Sequence, residues 1–396
     1  MKKVSVILLT CCLLFALVAC VEKNGEALPD QTTATTFTTA STVTTTVATV
    51  ISEKTDAAGV LHKNIHLEGE KAENFELPLR GATGFVSYPI SLHTAANTDS
   101  KVLKNLKPGD AFTVWSEKGD WWRVTTADGK KGYVQHVTCY LNIPDVIPSV
   151  VIENTNSTAS AFLSSGESIP EITGKKLYNS LYQNARFGEK RHILAANYIM
   201  VKKIYAAQQA ALQDGYTLVI NETFRPFDVQ LKISAELADL RLKNSKVRAG
   251  IDQSPWGIGW FISNRLSTHQ MGCAMDVSLA KVSTVTWERC GEYLYPTVTA
   301  YKACKMPTPI HELSVAAVSL KSPVNSYSPT EWQYVASADS MTKSALRLKK
   351  YCTQAGMSPL ASEWWHFNDL EAKQAIGDRC VSDVFYLDTC VSKIPD

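Results

Sequence analysis

The period of the apolar positions changes along the chain. Between about 84 and 141, apolar and polar residues alternate in short runs, as in "KVLKNLKPGDAFTVWSEKGDWWRVTTADGKKGYVQHV". Side chains of a strand point alternately to its two faces, so a period of two predicts half-buried strands. The runs break at Pro108-Gly109-Asp110, Lys118-Gly119-Asp120 and Asp128-Gly129-Lys130, where glycine permits a tight turn. Several short strands so divided predict a small all-β barrel or sandwich over 81–145. From about Ser168 the period lengthens. "RHILAANYIMVKKIYAAQQAALQDG" has apolar residues three and four apart and stops at Gly215, which predicts a helix. "YTLVINETF" predicts a buried strand, and Pro226 opens a second helix, "FDVQLKISAELADLRLK". "CAMDVSLA" predicts a strand, "DSMTKSALRLKKYCTQAG" a third helix, and "EWWHF" an aromatic strand. Residues 168–396 therefore predict an α+β domain, an antiparallel sheet with helices packed on it.

The first residues follow another logic. Lys2 and Lys3 precede "VSVILLTCCLLFALVAC", a charged start and a short apolar run that make an export signal over 1–20. The run is too short to read as a membrane-spanning helix. Its end, Leu17-Val18-Ala19-Cys20, resembles the lipobox of bacterial lipoproteins. That resemblance implies cleavage before Cys20, a lipid on its thiol and an exported, membrane-anchored protein of the cell envelope; an ordinary signal peptide is the alternative. "QTTATTFTTASTVTTTVATV" is rich in threonine and almost uncharged, which predicts a disordered tether within a linker over 21–80. His62 and His66 stand four apart beside it with no acidic partner and read as surface histidines.

The 396 residues leave room for two domains, and a formal net charge of +2 gives no basic excess for a nucleic-acid partner. Of 10 cysteines, Cys11 and Cys12 leave with the signal. Cys290 with Cys304 and Cys380 with Cys390 are local pairings open to an exported chain.

The β-rich stretch resembles a bacterial SH3-like domain. The carrying residues are the Leu106-Lys107-Pro108-Gly109 turn, Asp120-Trp121-Trp122-Arg123-Val124 and Gly129-Lys130-Lys131-Gly132-Tyr133-Val134. Leu92-His93-Thr94 departs from the family's first strand. The resemblance implies a domain that holds cell-wall material, with a plain spacer as the alternative.

Candidate chemistry lies in two short segments. "STHQMGCAMD" carries His269 and Asp276, and "SEWWHFND" carries Glu363 and His366. Neutral imidazole and carboxylate are both zinc ligands. Two histidines and one aspartate make three protein ligands and leave a fourth position open, the arrangement of a catalytic zinc site. Glu363 is then the base for the attacking water. A spacing of three on a regular strand would put Glu363 and His366 on opposite faces, so the chain should bend over Glu363 to Trp365. Arg225 ends the buried strand just before Pro226, where its planar guanidinium could support an oxyanion.

These motifs carry a second resemblance. "STHQMGCAMD" matches Ser-x-His-x-x-Gly-x-Ala-x-Asp and "EWWHF" matches Glu-x-x-His, with Phe224-Arg225-Pro226 upstream. In this order the chain is similar to the zinc D,D-peptidases of vancomycin-resistance systems, the D-Ala-D-Ala dipeptidases and D,D-carboxypeptidases. The resemblance covers roughly 178–367. It implies a Zn2+ cofactor on His269, Asp276 and His366, Glu363 as base, Arg225 as transition-state stabiliser and Ser267 as substrate contact. It further implies peptidoglycan-derived D-amino-acid peptides as substrates. "MPTPIHELS" is similar to the dipeptidase branch, with Pro307 in place of Gly and His311 in place of Asp. An exported dipeptidase would be separated from an intracellular precursor, which keeps the carboxypeptidase branch open. The loop 252–266 before the first ligand is a lid or a packed surface loop. Two readings of other classes are a thiol peptidase built on Cys273 and a wall-binding lipoprotein without catalysis.

Overall fold

Glycine turns cut the chain after Thr83 into the short strands that the alternation predicts. The computed structural model describes residues 49–55, 61–67 and 75–395. Strands Val102–Leu106, Ala111–Lys118, Trp121–Thr126 and Lys131–Gln135 are separated at the three expected breaks. Gly109, Gly119 and Gly129 all take positive φ there, the region where an L side chain is strained. These strands join Thr83–Val86, Ile90–His93 and Cys139–Asn142 in an eight-stranded sheet, whose last member is Ala195–Asn197. The sheet is an open path from Ala195–Asn197 to Val102–Leu106. Among the described residues no ladder closes it, so the expected small barrel is corrected to an open sheet. The cause is the strand Ala195–Asn197, contributed by the following region, which occupies the free edge of Cys139–Asn142.

That strand also shortens the first predicted helix. "RHILAAN" is drawn into two sheets, through the Leu181–Asn184 hairpin and the Cys139–Asn142 edge. The helix therefore runs over Tyr198–Gln213, capped by the Asn197 side chain, which accepts from the backbone of Ile199 at 3.0 Å. The helices Phe227–Lys243 and Lys343–Gln354 fall where the apolar spacing places them.

The second sheet runs in the order Val151–Ile152, Tyr216–Glu222, Ala274–Cys290, His366–Asn368, Ser358–Pro359. It is antiparallel as expected, except that Val151–Ile152 lies parallel to Tyr216–Glu222. Ala274–Cys290 is twice the expected length, and its outer half pairs with Tyr293–Ala303 as a long hairpin. One hydrophobic core serves both sheets. Phe112 and Trp122 of the first, Tyr198 and Ile204 of the helix, and Leu218, Ile220, Val277 and Trp365 of the second belong to it. Each such fully buried side chain contributes roughly 1.5–3 kcal/mol of transfer free energy.

Two features lie where a linker or loose end is expected. Thr49–Thr55 and Leu61–Leu67 pair as an antiparallel hairpin, so His62 and His66 fall on a strand. Phe75, Leu77 and Leu79 are buried. At the other end, residues 381–395 have no regular structure yet are firmly bound. Lys393 N–H donates to the Gly81 carbonyl at 2.7 Å, Thr113 Oγ1 to the Val391 carbonyl at 2.7 Å, and Ser392 Oγ to Asp145 at 2.7 Å. Phe385 stacks at 5.0 Å on Phe224, immediately before Arg225.

The seven described cysteines are all free thiols. Cys290 and Cys304 stand at opposite ends of the long hairpin, about ten residues and so roughly 30 Å apart, and cannot pair. Cys380 and Cys390 are likewise separate: Cys390 lies against Thr83 and Ser392, Cys380 against its own neighbour's carbonyl.

Candidate metal centre

Sheet register assembles the site. Glu222 is directly opposite Asp276, and Asp276 is directly opposite His366. Side chains so paired on antiparallel strands point to the same face with Cβ atoms about 5 Å apart. A row of three ionisable groups thus crosses the centre of an otherwise apolar sheet. The fourth group comes from the turn before Asp276. Gly272 takes φ +65°, and its N–H donates to the His269 carbonyl at 3.0 Å. A Cβ on Gly272 would meet the Tyr140 ring at 2.7 Å and the Asn197 nitrogen at 2.9 Å, so the turn needs glycine twice over. It folds His269 back over the strand it precedes.

His269, Asp276 and His366 are all buried, and one ligand atom from each lies within 4.8 Å of the others. His269 Nε2 is 3.4 Å from Asp276 Oδ2, and His366 Nδ1 is 3.1 Å from Asp276 Oδ1. Zinc–nitrogen bonds of about 2.0–2.1 Å place tetrahedral ligand atoms about 3.3 Å apart, close to both separations. The outer nitrogens are fixed as well. His269 Nδ1 lies 2.7 Å from the Thr223 carbonyl, and His366 Nε2 lies 2.9 Å from Asn368 Oδ1. Thr268 Oγ1 donates to the same Asn368 oxygen at 2.6 Å. An imidazole that donates one N–H to a carbonyl presents a bare lone pair at its other nitrogen. Two lone pairs and a carboxylate therefore converge on one point, a donor set that fits a divalent cation.

The charges follow from burial and neighbours. Burial drives the His269 imidazole below its ordinary range, Asp276 opposing. For Asp276, burial alone would raise the carboxyl, but the three histidines hold it well below the usual carboxylate range. Burial lowers His366, yet its contact with Asp276 outweighs this and leaves it raised.

Glu363 lies where the strand start is bent, as its spacing requires: regular pairing begins only at His366. Its Oε2 is 3.6 Å from His366 Nδ1. Burial pushes its carboxyl up to about 8, with His366 opposing and Asp276 adding to the rise.

Arg225 is more committed than a free oxyanion donor. Nε and Nη2 lie 2.6 Å from Glu222 Oε2, Nη2 also donates to Asp276 Oδ2 at 2.9 Å, and Nη1 donates to Gln230 Oε1 at 2.8 Å. Burial would lower this guanidinium, but the Glu222 and Asp276 carboxylates raise it further. A second cluster, Glu222, Asp276 and His311, also has metal-ligand chemistry. It already holds a cation, the Arg225 guanidinium.

Ser267 lines the cleft beside the triad, but its Oγ donates to Gln270 Oε1 at 2.8 Å. Cys20 lies outside the described residues. Cys273 is fully buried, and burial drives its thiol well above the ordinary range, which removes the thiolate that nucleophilic attack needs.

Three residues at the site carried no role in the sequence reading. Glu222 and Gln230 hold Arg225. The His311 imidazole stacks on Phe162 at 4.1 Å and places Nε2 3.1 Å from Asp276 Oδ2. A glutamate inside the apolar run "YTLVINETF", three before an arginine, was the readable signal for Glu222. His311 had none in the local pattern.

The triad opens on a cleft of about 550 Å³. Its wall is formed by 255–268, with Trp256 and Trp260 half-buried and edge to face at 6.0 Å. Ser362 Oγ donates to the Trp260 carbonyl at 2.6 Å, and Gln230 Nε2 to the Ser263 carbonyl at 2.9 Å, so the wall is tied at two points.

Residues 90–138 match the family model of the bacterial SH3 domain, and the match stops before the α/β region. No curated protein matches the chain. No helix among the described residues is long and apolar enough to cross a membrane.

Proposed function

We propose that the chain is a zinc-dependent peptidase of the cell envelope that hydrolyses D-Ala-D-Ala-type peptide bonds. The observation that carries this reading is the convergence of His269 Nε2, Asp276 and His366 Nδ1 at the mouth of a cleft, with the Glu363 carboxyl beside them. His269, Asp276 and His366 would hold the ion; zinc supplies Lewis-acid polarisation of a carbonyl and acidifies a water. Glu363 takes the proton of the attacking water and returns it to the leaving amine. Its burial makes it a stronger base than an exposed glutamate. Arg225 keeps Asp276 ionised and turned toward the histidines, and its remaining Nη1 N–H faces the cleft for the developing oxyanion. Ser267 lines the same cleft as a substrate contact. The neighbouring α-carbon groups of D-alanine are small and uncharged, which suits a site whose wall is tryptophan and glycine.

The bacterial SH3 domain supports wall binding and an envelope location, and a lipid on Cys20 would tether the chain to a membrane. Within the reading, the D-Ala-D-Ala dipeptidase and the D,D-carboxypeptidase differ only in what precedes the scissile bond. The test is release of D-alanine from D-Ala-D-Ala and from peptides ending in it, by the full chain. Turnover abolished by a chelator and restored by zinc supports the proposal; no cleavage of any such peptide in the zinc-loaded chain contradicts it.

A further inference from the structure

The cleft itself distinguishes a free dipeptide from a blocked one. This inference rests on the peptidase reading. In D-Ala-D-Ala the α-ammonium is borne by the carbon next to the scissile carbonyl. Binding for cleavage forces that charge to within a few ångströms of the triad. There it meets the Arg225 guanidinium and whatever cation His269, Asp276 and His366 hold. Among the described residues lining the cleft, Glu363 is the one carboxylate outside the triad. As the base it cannot serve as a permanent partner of an ammonium without losing its proton affinity. Glu222 and Asp276 are closed off, because Arg225 spans them at 2.6 and 2.9 Å. A terminal carboxylate on the other side of the bond has the opposite sign and is drawn toward the same centre.

The rest of the cleft fits an uncharged extension. A volume of about 550 Å³ is far more than eleven non-hydrogen atoms fill. Its wall is Trp256, Ile258, Trp260 and Leu266, with Leu360 opposite and no charged side chain on 255–263. Gly257 and Gly259 have open space where a Cβ would stand, which leaves their backbone groups accessible between the two indoles.

We infer that the site is built for N-acylated peptides, in which the nitrogen before the scissile bond is a neutral amide and the preceding residue lies against Trp256 and Trp260. The free dipeptide is then a poor substrate, and the wall 255–266 is the specificity element rather than a mere surface loop.

The test compares zinc-loaded full chain on Nα,Nε-diacetyl-L-Lys-D-Ala-D-Ala and on free D-Ala-D-Ala. The expected kcat/KM is at least about tenfold higher for the blocked tripeptide, one like-charge contact removed. Trp260→Ala should lower kcat/KM for the tripeptide about tenfold while zinc content holds, and Trp260→Phe should restore most of it. Calorimetric binding of the tripeptide to Glu363→Gln should show the same order without turnover. Equal or faster cleavage of the free dipeptide overturns this inference and leaves the peptidase reading standing. Loss of cleavage on both peptides overturns both.

Discussion

Asp276 and His366 face each other across two antiparallel strands, and His366 Nδ1 lies 3.1 Å from Asp276 Oδ1. Two acceptors held this close are stable only with a proton or a cation between them. Asp276→Asn removes the negative charge and keeps the shape. Its expected result is a loss of bound zinc at stoichiometric metal, read by elemental analysis after desalting, with zinc affinity at least about tenfold weaker. An unchanged zinc content would show that the ion, if any, sits elsewhere.

Glu222 has a different part. It is buried against Arg225 at 2.6 Å and supplies no ligand to the triad. Glu222→Gln leaves the guanidinium one carboxylate short in the interior. The expected cost is about 3 kcal/mol of folding stability by urea titration, with zinc still bound. A stability loss below about 1 kcal/mol would mean that Asp276 and Gln230 suffice to hold Arg225.

Gly272 places the first histidine. Gly272→Ala meets both a positive φ and contacts under 3.0 Å with the Tyr140 ring and the Asn197 nitrogen. A loss of about 2–4 kcal/mol is expected, together with weaker zinc binding as His269 shifts. Thermal melts with and without zinc separate the two effects: the zinc-induced rise in Tm should shrink in the variant.

The raised Glu363 carboxyl gives a pH signature in the metal-free protein. Its folded value of about 8 stands above the ordinary 4.5, so the folded state holds the proton more tightly. That contribution to stability is complete below pH 4.5, falls as pH rises, and is gone above pH 8. Glu363→Gln cannot ionise. The chelator-treated variant should therefore match the wild type near pH 4 and be more stable than it near pH 9. Parallel curves of Tm against pH would contradict a buried, proton-retaining Glu363.

The local pattern carried much of this architecture. Period-two alternation with glycine turns located the strands between Val102 and Gln135, and the spacing of Glu363 and His366 required the bend that precedes the strand at His366. What escaped was long-range. Nothing in "ILAAN" says that Ala195–Asn197 will complete a sheet begun a hundred residues earlier, so a closed barrel and a longer helix were the natural expectation. The segment after Gly377 has no period at all; it is held by side-chain and terminal contacts to Gly81, Thr113 and Asp145 that only the folded chain creates. At the site, ligand residues were legible because their spacing is local within two motifs. The partners of Arg225 were not, since Glu222 meets Asp276 only through sheet register and His311 arrives from a distant loop.

The most direct test of the central claim is zinc content and turnover of the full chain, wild type beside Glu363→Ala, on a peptide ending in D-Ala-D-Ala. Glu363 touches the triad but ligates nothing, so the variant should keep its zinc. Its turnover should fall by about 10²–10⁴, the range of a lost general base. Retained zinc with unchanged turnover would contradict the account.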